Sequence, residues 1–162
     1  LAPWGGIKIG HDEIVKLPTY FAQGIIPVMH GMPPYDYFAL PPAKGRIPIH
    51  RTDTGTVILA DLIGARSCIL LKDEAGLYDR DPKKDREAVF IPRIGCRELA
   101  ARNLDDLILE RACLEILENS QVLESIQIVN GLEKGALTRA LDGEPVGTII
   151  YKDTPVGSRP ET

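Results

Sequence analysis

The sequence predicts a three-layer α/β fold, in which a mainly parallel sheet carries helices on both faces. Residues 67–71 form a short apolar run, which is typical of a strand covered on both sides. Residues 106–120 place apolar side chains at helical spacing with charged ones between them, which indicates an amphipathic helix. Strand and helix patterns alternate along the rest of the chain, as expected for a parallel sheet.

Length and composition are those of one ordinary globular domain. The chain has 162 residues, of which 44% are hydrophobic and 26% are charged. The net charge of −4 argues against a nucleic-acid partner, and the longest apolar runs are about half the length of a membrane span. We therefore expect a single α/β domain over residues 1–152, no membrane contact, and a flexible polar tail over residues 153–162.

The cysteine pattern favours reduced thiols. Cys68, Cys96 and Cys113 are odd in number and show no Cys-x-x-Cys spacing, and Cys68 and Cys113 lie within apolar patterns. Core thiols of a cytoplasmic protein fit this pattern better than disulfides or zinc ligands.

The first third of the chain predicts short elements and one long loop. Residues 6–10 have the pattern of a short strand, residues 12–21 that of a weak helix, and residues 25–29 that of a buried strand in which Pro27 indicates an edge or an irregularity. Residues 31–48 are rich in proline, which lowers the entropy of the unfolded chain, so we expect an ordered and functional loop.

The later elements follow in regular order. They are a helix ending at Gly64, the strand at 67–71, an extended segment at 88–94, a helix at 96–102, the helix at 106–120, a strand at 125–129, a helix at 132–141 and a closing strand at 148–151.

Polar residues cluster at the start of the helix that ends at Gly64. Asp53 is a natural N-cap, because its oxygens can accept from the free amides of the first turn. Together with Arg51 and Thr52, it is suited to anchoring phosphate groups or a metal-bound nucleotide. A helix cap beside a surface ion pair is the alternative interpretation.

A charged loop follows the strand at residues 67–71. Ligands of open α/β sheets sit at the carboxyl ends of the strands, and this loop offers Lys72 for phosphate charge, Tyr78 for stacking and Asp81 for a polar contact. A solvated turn is the alternative. The sequence has no Gly-x-x-x-x-Gly-Lys-Ser/Thr loop, which excludes a Walker-type site from this chain.

The histidines show no zinc-type spacing. His30 and His50 flank the proline-rich loop at its two ends, and Arg51 follows directly. Protonated imidazole beside a guanidinium group would suit an oxoanion. Ordinary hydrogen-bonded loop residues are the alternative.

Several segments resemble the amino-acid-kinase superfamily, nearest to bacterial uridylate kinase. Thr52-Asp53-Thr54-Gly55 is similar to the family's Thr-Asp-x-Ala/Gly segment, and residues 72–82 are similar to its nucleotide loop. Residues 129–137 and 143–150 resemble its closing helix and strand.

Within the superfamily, three segments look most like molybdenum storage protein subunits: residues 31–35, 47–55 and 72–78. That family binds ATP and deposits molybdate or tungstate as polyoxometalate clusters inside a cage of subunits. The resemblance therefore implies an ATP-binding storage subunit that uses Mg²⁺, in a hexamer-like cage with a second homologous subunit or a missing N-terminal half.

The resemblance also implies roles for individual residues. Asp53 would be catalytic. The residues implied to hold the nucleotide are Thr52, Lys72, Asp73, Tyr78 and Asp81, and those implied to hold the oxoanion cluster are His30, His50 and Arg51. A uridylate-kinase-like nucleoside monophosphate kinase and a catalytically silent structural subunit are the alternatives. Enzymatic activity stays open between ATP hydrolysis coupled to storage and, as the runner-up, phosphoryl transfer.

The chain departs from the family pattern in three places. Ala75 replaces an acidic residue before the loop glycine, and Asp79 replaces a threonine after Tyr78. Residues 8–11 imitate the Lys-x-Gly-Gly strand that opens the family's fold, but too few residues separate them from residues 31–35 for a complete N-terminal half. The resemblance thus covers the C-terminal, nucleotide-holding portion, which alone would lack the charge stabilisation that phosphoryl transfer needs.

Overall fold

A computed structural model describes residues 2–30 and 52–153. The strands are β1 Gly6–Lys8, β2 Ile26–Val28, β3 Ser67–Lys72, β4 Leu77–Tyr78, β5 Phe90–Ile91, β6 Arg93–Gly95, β7 Ser125–Asn130 and β8 Thr148–Tyr151. The α-helices are α1 Leu17–Ala22, α2 Thr52–Leu62, α3 Cys96–Arg102, α4 Ala112–Asn119 and α5 Ala136–Leu141. Short 3₁₀ helices cover Ala2–Trp4 and His11–Lys16.

The main sheet has the strand order β3-β7-β8-β6. The pairs β3–β7 and β6–β8 are parallel, and β7–β8 is antiparallel. Two small sheets stand apart from it: the parallel pair β1–β2 and the antiparallel pair β4–β5. The prediction of a mainly parallel α/β sheet is confirmed.

The main core lies on one face of this sheet, where Leu70, Ile128 and Ile150 pack with residues of α2, α3 and α4. On the other face, α5 packs its alanines against Val129. Strand side chains alternate between faces, so these clusters are the two interfaces of a three-layer structure. Helices on both faces were predicted, and this is confirmed.

Strand β3 differs from its prediction, because only one of its faces is fully covered. Cys68 and Leu70 are buried, whereas Leu71 on the opposite face is 48% exposed. Ile69 is partly buried against the α5 cluster. The cause is position, since among the described strands β3 lies at the edge of the main sheet and α5 covers only part of that face.

The N-terminal segment forms the expected elements with a different burial. Residues 12–21 fold as the 3₁₀ helix followed by α1. The predicted strand at 25–29 exists as β2, but the prediction of burial is wrong: Ile26 is 59% exposed. The reason is that β2 pairs with β1 in a small sheet of its own.

Helix α2 ends as the sequence predicts. The amide of Ala65 donates to Ala60 O at 2.8 Å, and the amide of Gly64 donates to Asp61 O at 3.1 Å. This is the Schellman arrangement, which needs a left-handed residue at the position of Gly64 (φ +71°).

Two helices are shorter than predicted. The helix expected at 106–120 is α4, which begins only at Ala112. Leu109 is buried in the core and Glu110 bonds to α2, so these tertiary contacts hold the preceding residues out of the helix. The helix expected at 132–141 is α5, which begins after Gly135 with φ +83°.

All three cysteines are free and buried, which confirms the predicted core thiols. Among the helices of the described residues, none is both long and apolar enough to cross a membrane. The proline-rich loop at 31–48 and residues 154–162 of the predicted tail lie outside the described residues, so both expectations stay predictions.

Candidate functional site

The start of α2 and the end of β3 are joined by an ion pair. Both carboxylate oxygens of Asp53 accept from Lys72 Nζ, at 2.7 and 2.8 Å. Helix α2 already begins at Thr52, so the prediction of Asp53 as N-cap is wrong: its side chain lies in the first turn and binds Lys72 instead. The structure thus brings together two residues that the sequence identified separately.

The side chain of Glu110 accepts a hydrogen bond from the first turn of α2. Its Oε2 accepts from the Thr54 amide at 2.9 Å. The Thr54 hydroxyl, which is buried, also lies 3.7 Å from Cys113 Sγ in α4. A carboxylate at a helix N-terminus is favoured by the helix dipole, so Glu110 holds the backbone that carries Asp53.

The Asp53–Lys72 pair contributes to stability as well as to the site. The two side chains are only 17% and 22% exposed, so the loss of one partner leaves a partly buried charge. We expect Asp53→Asn to lower the free energy of unfolding by about 1–2 kcal/mol, between the values for surface and buried pairs. Urea denaturation measures this loss.

The control is Lys72→Met, alone and combined with Asp53→Asn. If the pair is coupled, the double variant loses less stability than the sum of the two single variants. Strict additivity would contradict the coupling.

The loop after β3 folds against a small hairpin. Leu77 and Tyr78 form β4, which pairs with Phe90 and Ile91 of β5. The rings of Tyr78 and Phe90 meet edge to face with centroids 5.4 Å apart. The Phe90 ring therefore covers one side of the Tyr78 side chain.

Ion pairs and backbone amides order the charges of this loop. Lys83 Nζ lies 2.8 Å from Asp73 and 3.2 Å from Glu74. Asp81 accepts from the Lys83 amide at 2.9 Å, and this bond lowers the pKa of Asp81. The hydrogen bond from the Lys83 ammonium likewise lowers the pKa of Asp73. Both carboxylates are ionised at neutral pH, and the loop is an ordered turn.

An open cleft of about 230 Å³ lies between this loop and the segment before α4. Its apolar wall comprises Leu77, Leu107 and Ile108, and Tyr78 also lines it. The charged residues of its lining are Asp73, Glu74, Asp81, Asp106, Arg80 and Lys83, so carboxylates outnumber cations. Typical ligand pockets have roughly 300–1,000 Å³, so the described cleft has room for part of a nucleotide.

The sequence-predicted site residues divide into three groups. Asp73, Tyr78 and Asp81 line the cleft, while Asp53 and Lys72 form the ion pair. Thr52 and His30 are exposed, at the start of α2 and just after β2. The last group, His50 and Arg51, lies outside the described residues.

One cluster of the described residues has the ligand types of a metal site. Ligand atoms of Cys96, Glu118 and Asp153 lie within 4.8 Å of one another. The Cys96 sulfur is 3.0 Å from Glu118 Oε2 and 3.1 Å from Asp153 Oδ2, and Arg97 Nε donates to Glu118. The hydrogen bonds from Cys96 and Arg97 lower the pKa of Glu118. These contacts tie the residues after β8 to α3 and α4.

The fold and the loop at the end of β3 define a class of protein. A family model described as "Amino acid kinase family" matches residues 7–130. The chain belongs to the amino acid kinase family, as the sequence segments predicted.

Two relatives show how similar this chain is to individual proteins of the family. The chain is 45% identical over 150 residues to "Molybdenum storage protein subunit beta" of Azotobacter vinelandii, covering 93% of this chain and 56% of that protein. It is 32% identical over 109 residues to a uridylate kinase of Rubrobacter xylanophilus, covering 67% of this chain and 41% of that protein. The chain thus spans about half the length of these relatives.

A solved structure agrees on the fold. The UMP kinase from Bacillus anthracis superposes with a TM-score of 0.67 over 87% of this chain and 52% of that one, at 20% sequence identity.

Proposed function

We propose that this chain is the nucleotide-holding part of an ATP-binding protein that stores molybdate or tungstate as oxoanion clusters. The observation that carries the proposal is the 45% identity to a molybdenum storage protein subunit over nearly the whole chain. The uridylate kinase similarity is lower and covers less of the chain. A nucleoside monophosphate kinase is the second candidate.

The lining of the cleft supports one particular orientation of a bound nucleotide. The apolar wall of Leu77, Leu107 and Ile108 suits a base and its sugar. Lys72 and Asp53 lie at the carboxyl end of β3, where phosphates bind in open α/β sheets. Because the ammonium group of Lys72 is paired with Asp53, a phosphate has to share or displace that contact.

The charge of the cleft supports the Mg²⁺ complex of ATP over free ATP. Four carboxylates and two cationic side chains line the cleft. The excess negative charge of this lining would repel a bare polyphosphate. Mg²⁺ prefers carboxylate and phosphate oxygens, and Asp73 and Glu74 are the nearest carboxylates in sequence to Lys72. When bound, the ion neutralises phosphate charge.

The oxoanion part of the proposal rests on His30, His50 and Arg51 at the ends of the proline-rich loop. Such donors supply several charge-assisted hydrogen bonds at once. Assembly with further subunits belongs to the same proposal, because the relative is itself named as a subunit.

The test uses the purified protein with Mg²⁺ and ATP. We expect molybdenum or tungsten to accumulate on the protein when molybdate or tungstate is supplied with ATP, as measured by elemental analysis after gel filtration. The double variant His30→Ala/His50→Ala should carry less metal at unchanged particle size. Turnover of UMP without metal uptake would instead establish the kinase. If the protein shows neither activity, a structural subunit is the remaining interpretation.

The nucleotide cleft predicts a specific binding defect. We expect Tyr78→Ala to weaken ATP binding roughly tenfold or more in calorimetric titration, because base–aromatic contacts contribute about 1–3 kcal/mol. The matched control is Tyr151→Ala, which removes a partly exposed ring that packs under Arg93 instead of lining the cleft. Equal affinity in the two variants would place the base elsewhere.

A further inference from the structure

Thr148 joins three strands through one hydroxyl group. It is the first residue of β8 and is fully buried. Its Oγ1 accepts from the Leu77 amide at 2.8 Å and donates to Ile91 O at 2.6 Å. These bonds link β4 and β5, which form a small sheet of their own, to the first residue of β8, an inner strand of the main sheet.

The loop that lines the cleft approaches Thr148 closely. A Cβ atom at Gly76 would lie 2.4 Å from Thr148 Oγ1 and 3.0 Å from its amide nitrogen. A Cβ atom at Gly147 would lie 3.1 Å from Ala75 O. Glycine on both sides lets the loop backbone rest directly on the start of β8.

The hydroxyl cannot be replaced by a group of the same shape without loss. A threonine hydroxyl donates one hydrogen bond and accepts others, and both partners here are buried backbone groups. Removal of the hydroxyl would take one hydrogen bond from the Leu77 amide and one from the Ile91 carbonyl, and buried backbone groups rarely go without their hydrogen bonds. The loop would then move to recover these bonds.

We propose that Thr148 is a positioning residue for the nucleotide cleft: its hydroxyl fixes Leu77, and thereby the wall of Gly76, Leu77 and Tyr78 against which a base packs. The inference rests on the proposed nucleotide binding. Thr148 itself is not part of the cleft lining. It acts through the backbone of Leu77.

The test compares Thr148→Val, which keeps the shape and removes the hydroxyl, with Thr148→Ser, which keeps the hydroxyl. We expect the dissociation constant of Mg²⁺–ATP to rise roughly tenfold in Thr148→Val, the effect of about 1.4 kcal/mol. In Thr148→Ser it should stay near the wild-type value. Hydrogen exchange should accelerate at the Leu77 amide in Thr148→Val alone.

A purely structural role is separated by Ile150→Val. Ile150 lies two residues further along β8 and is fully buried in the main core, away from the cleft. This variant should lower the melting temperature while leaving ATP affinity and Leu77 exchange unchanged. If Thr148→Val behaves in the same way, the inference is wrong.

The two proposals fail in different ways. Absence of ATP binding in the wild type would overturn nucleotide binding, and with it the role of Thr148 in the cleft. Wild-type binding with an unaffected Thr148→Val variant overturns only the role of Thr148. If Thr148→Val does not fold, Thr148→Ala is compared with Thr148→Ser in its place, because alanine also lacks the hydroxyl that accepts from the Leu77 amide.

Discussion

Replacing Gly147 with alanine is expected to lower the free energy of unfolding by about 3 kcal/mol or more. A Cβ atom at this position would lie 2.0 Å from Ile128 O, a backbone atom of the central strand β7. The residue also has φ +70°, a conformation that costs an L-residue about 1–2 kcal/mol. Overpacking against an immobile strand adds about 1–3 kcal/mol. Chemical denaturation measures the sum.

Gly143→Ala is the matched control for this prediction. Gly143 also has positive φ (+88°) and lies in the same turn before β8, but a Cβ atom there would meet nothing within 4 Å. This variant should show the conformational cost alone, about 1 kcal/mol. Equal losses at the two positions would mean that the close approach to β7 has no energetic effect.

The second large effect is expected in thiol chemistry. Burial raises the pKa of Cys68 to about 11, and burial together with nearby groups raises the pKa values of Cys96 and Cys113 to about 12. The thiolate is the reactive form, and each unit of pKa reduces its population tenfold. At pH 8 we expect native Cys96 to be alkylated by iodoacetamide roughly a thousandfold more slowly than in urea.

The pH dependence of stability follows from the same shifts. A raised thiol pKa stabilises the folded protein below the unfolded value near 9, and this stabilisation is lost as pH rises towards 12. Asp153→Asn removes the negative charge of a carboxylate that faces the Cys96 thiol and raises its pKa, so this variant should raise the alkylation rate at Cys96 but not at Cys113. Mass spectrometry resolves the two sites. Fast native alkylation at both would contradict their burial.

Local sequence patterns predicted the helices and strands themselves. They did not predict the helix boundaries that tertiary contacts determine. Helix α3 and strand β8 match the predicted ranges 96–102 and 148–151. The helix predicted at 106–120 begins only at Ala112, because Leu109 is buried in the core and Glu110 hydrogen-bonds to α2. Neither interaction is visible in a periodic pattern.

The same distinction applies to the candidate site. Asp53 and Lys72 were each identified from their local setting, but their pairing joins a helix to a strand and required the fold. Glu110 was hidden within an amphipathic pattern, and Thr148 within a closing strand. The one available signal for Thr148 was a hydroxyl residue directly after glycine at the start of an apolar run.

The pairing of the main sheet sets an order of events during synthesis. Within the described residues, β3 finds its strand partner only in β7, where Ser67 pairs with Ser125, and β6 finds its partner only in β8. At about 5–20 residues per second, a ribosome leaves β3 without β7 for several seconds. Apolar strand edges are open during this interval. The nascent chain is therefore most prone to aggregation in the interval before β7 and β8 emerge.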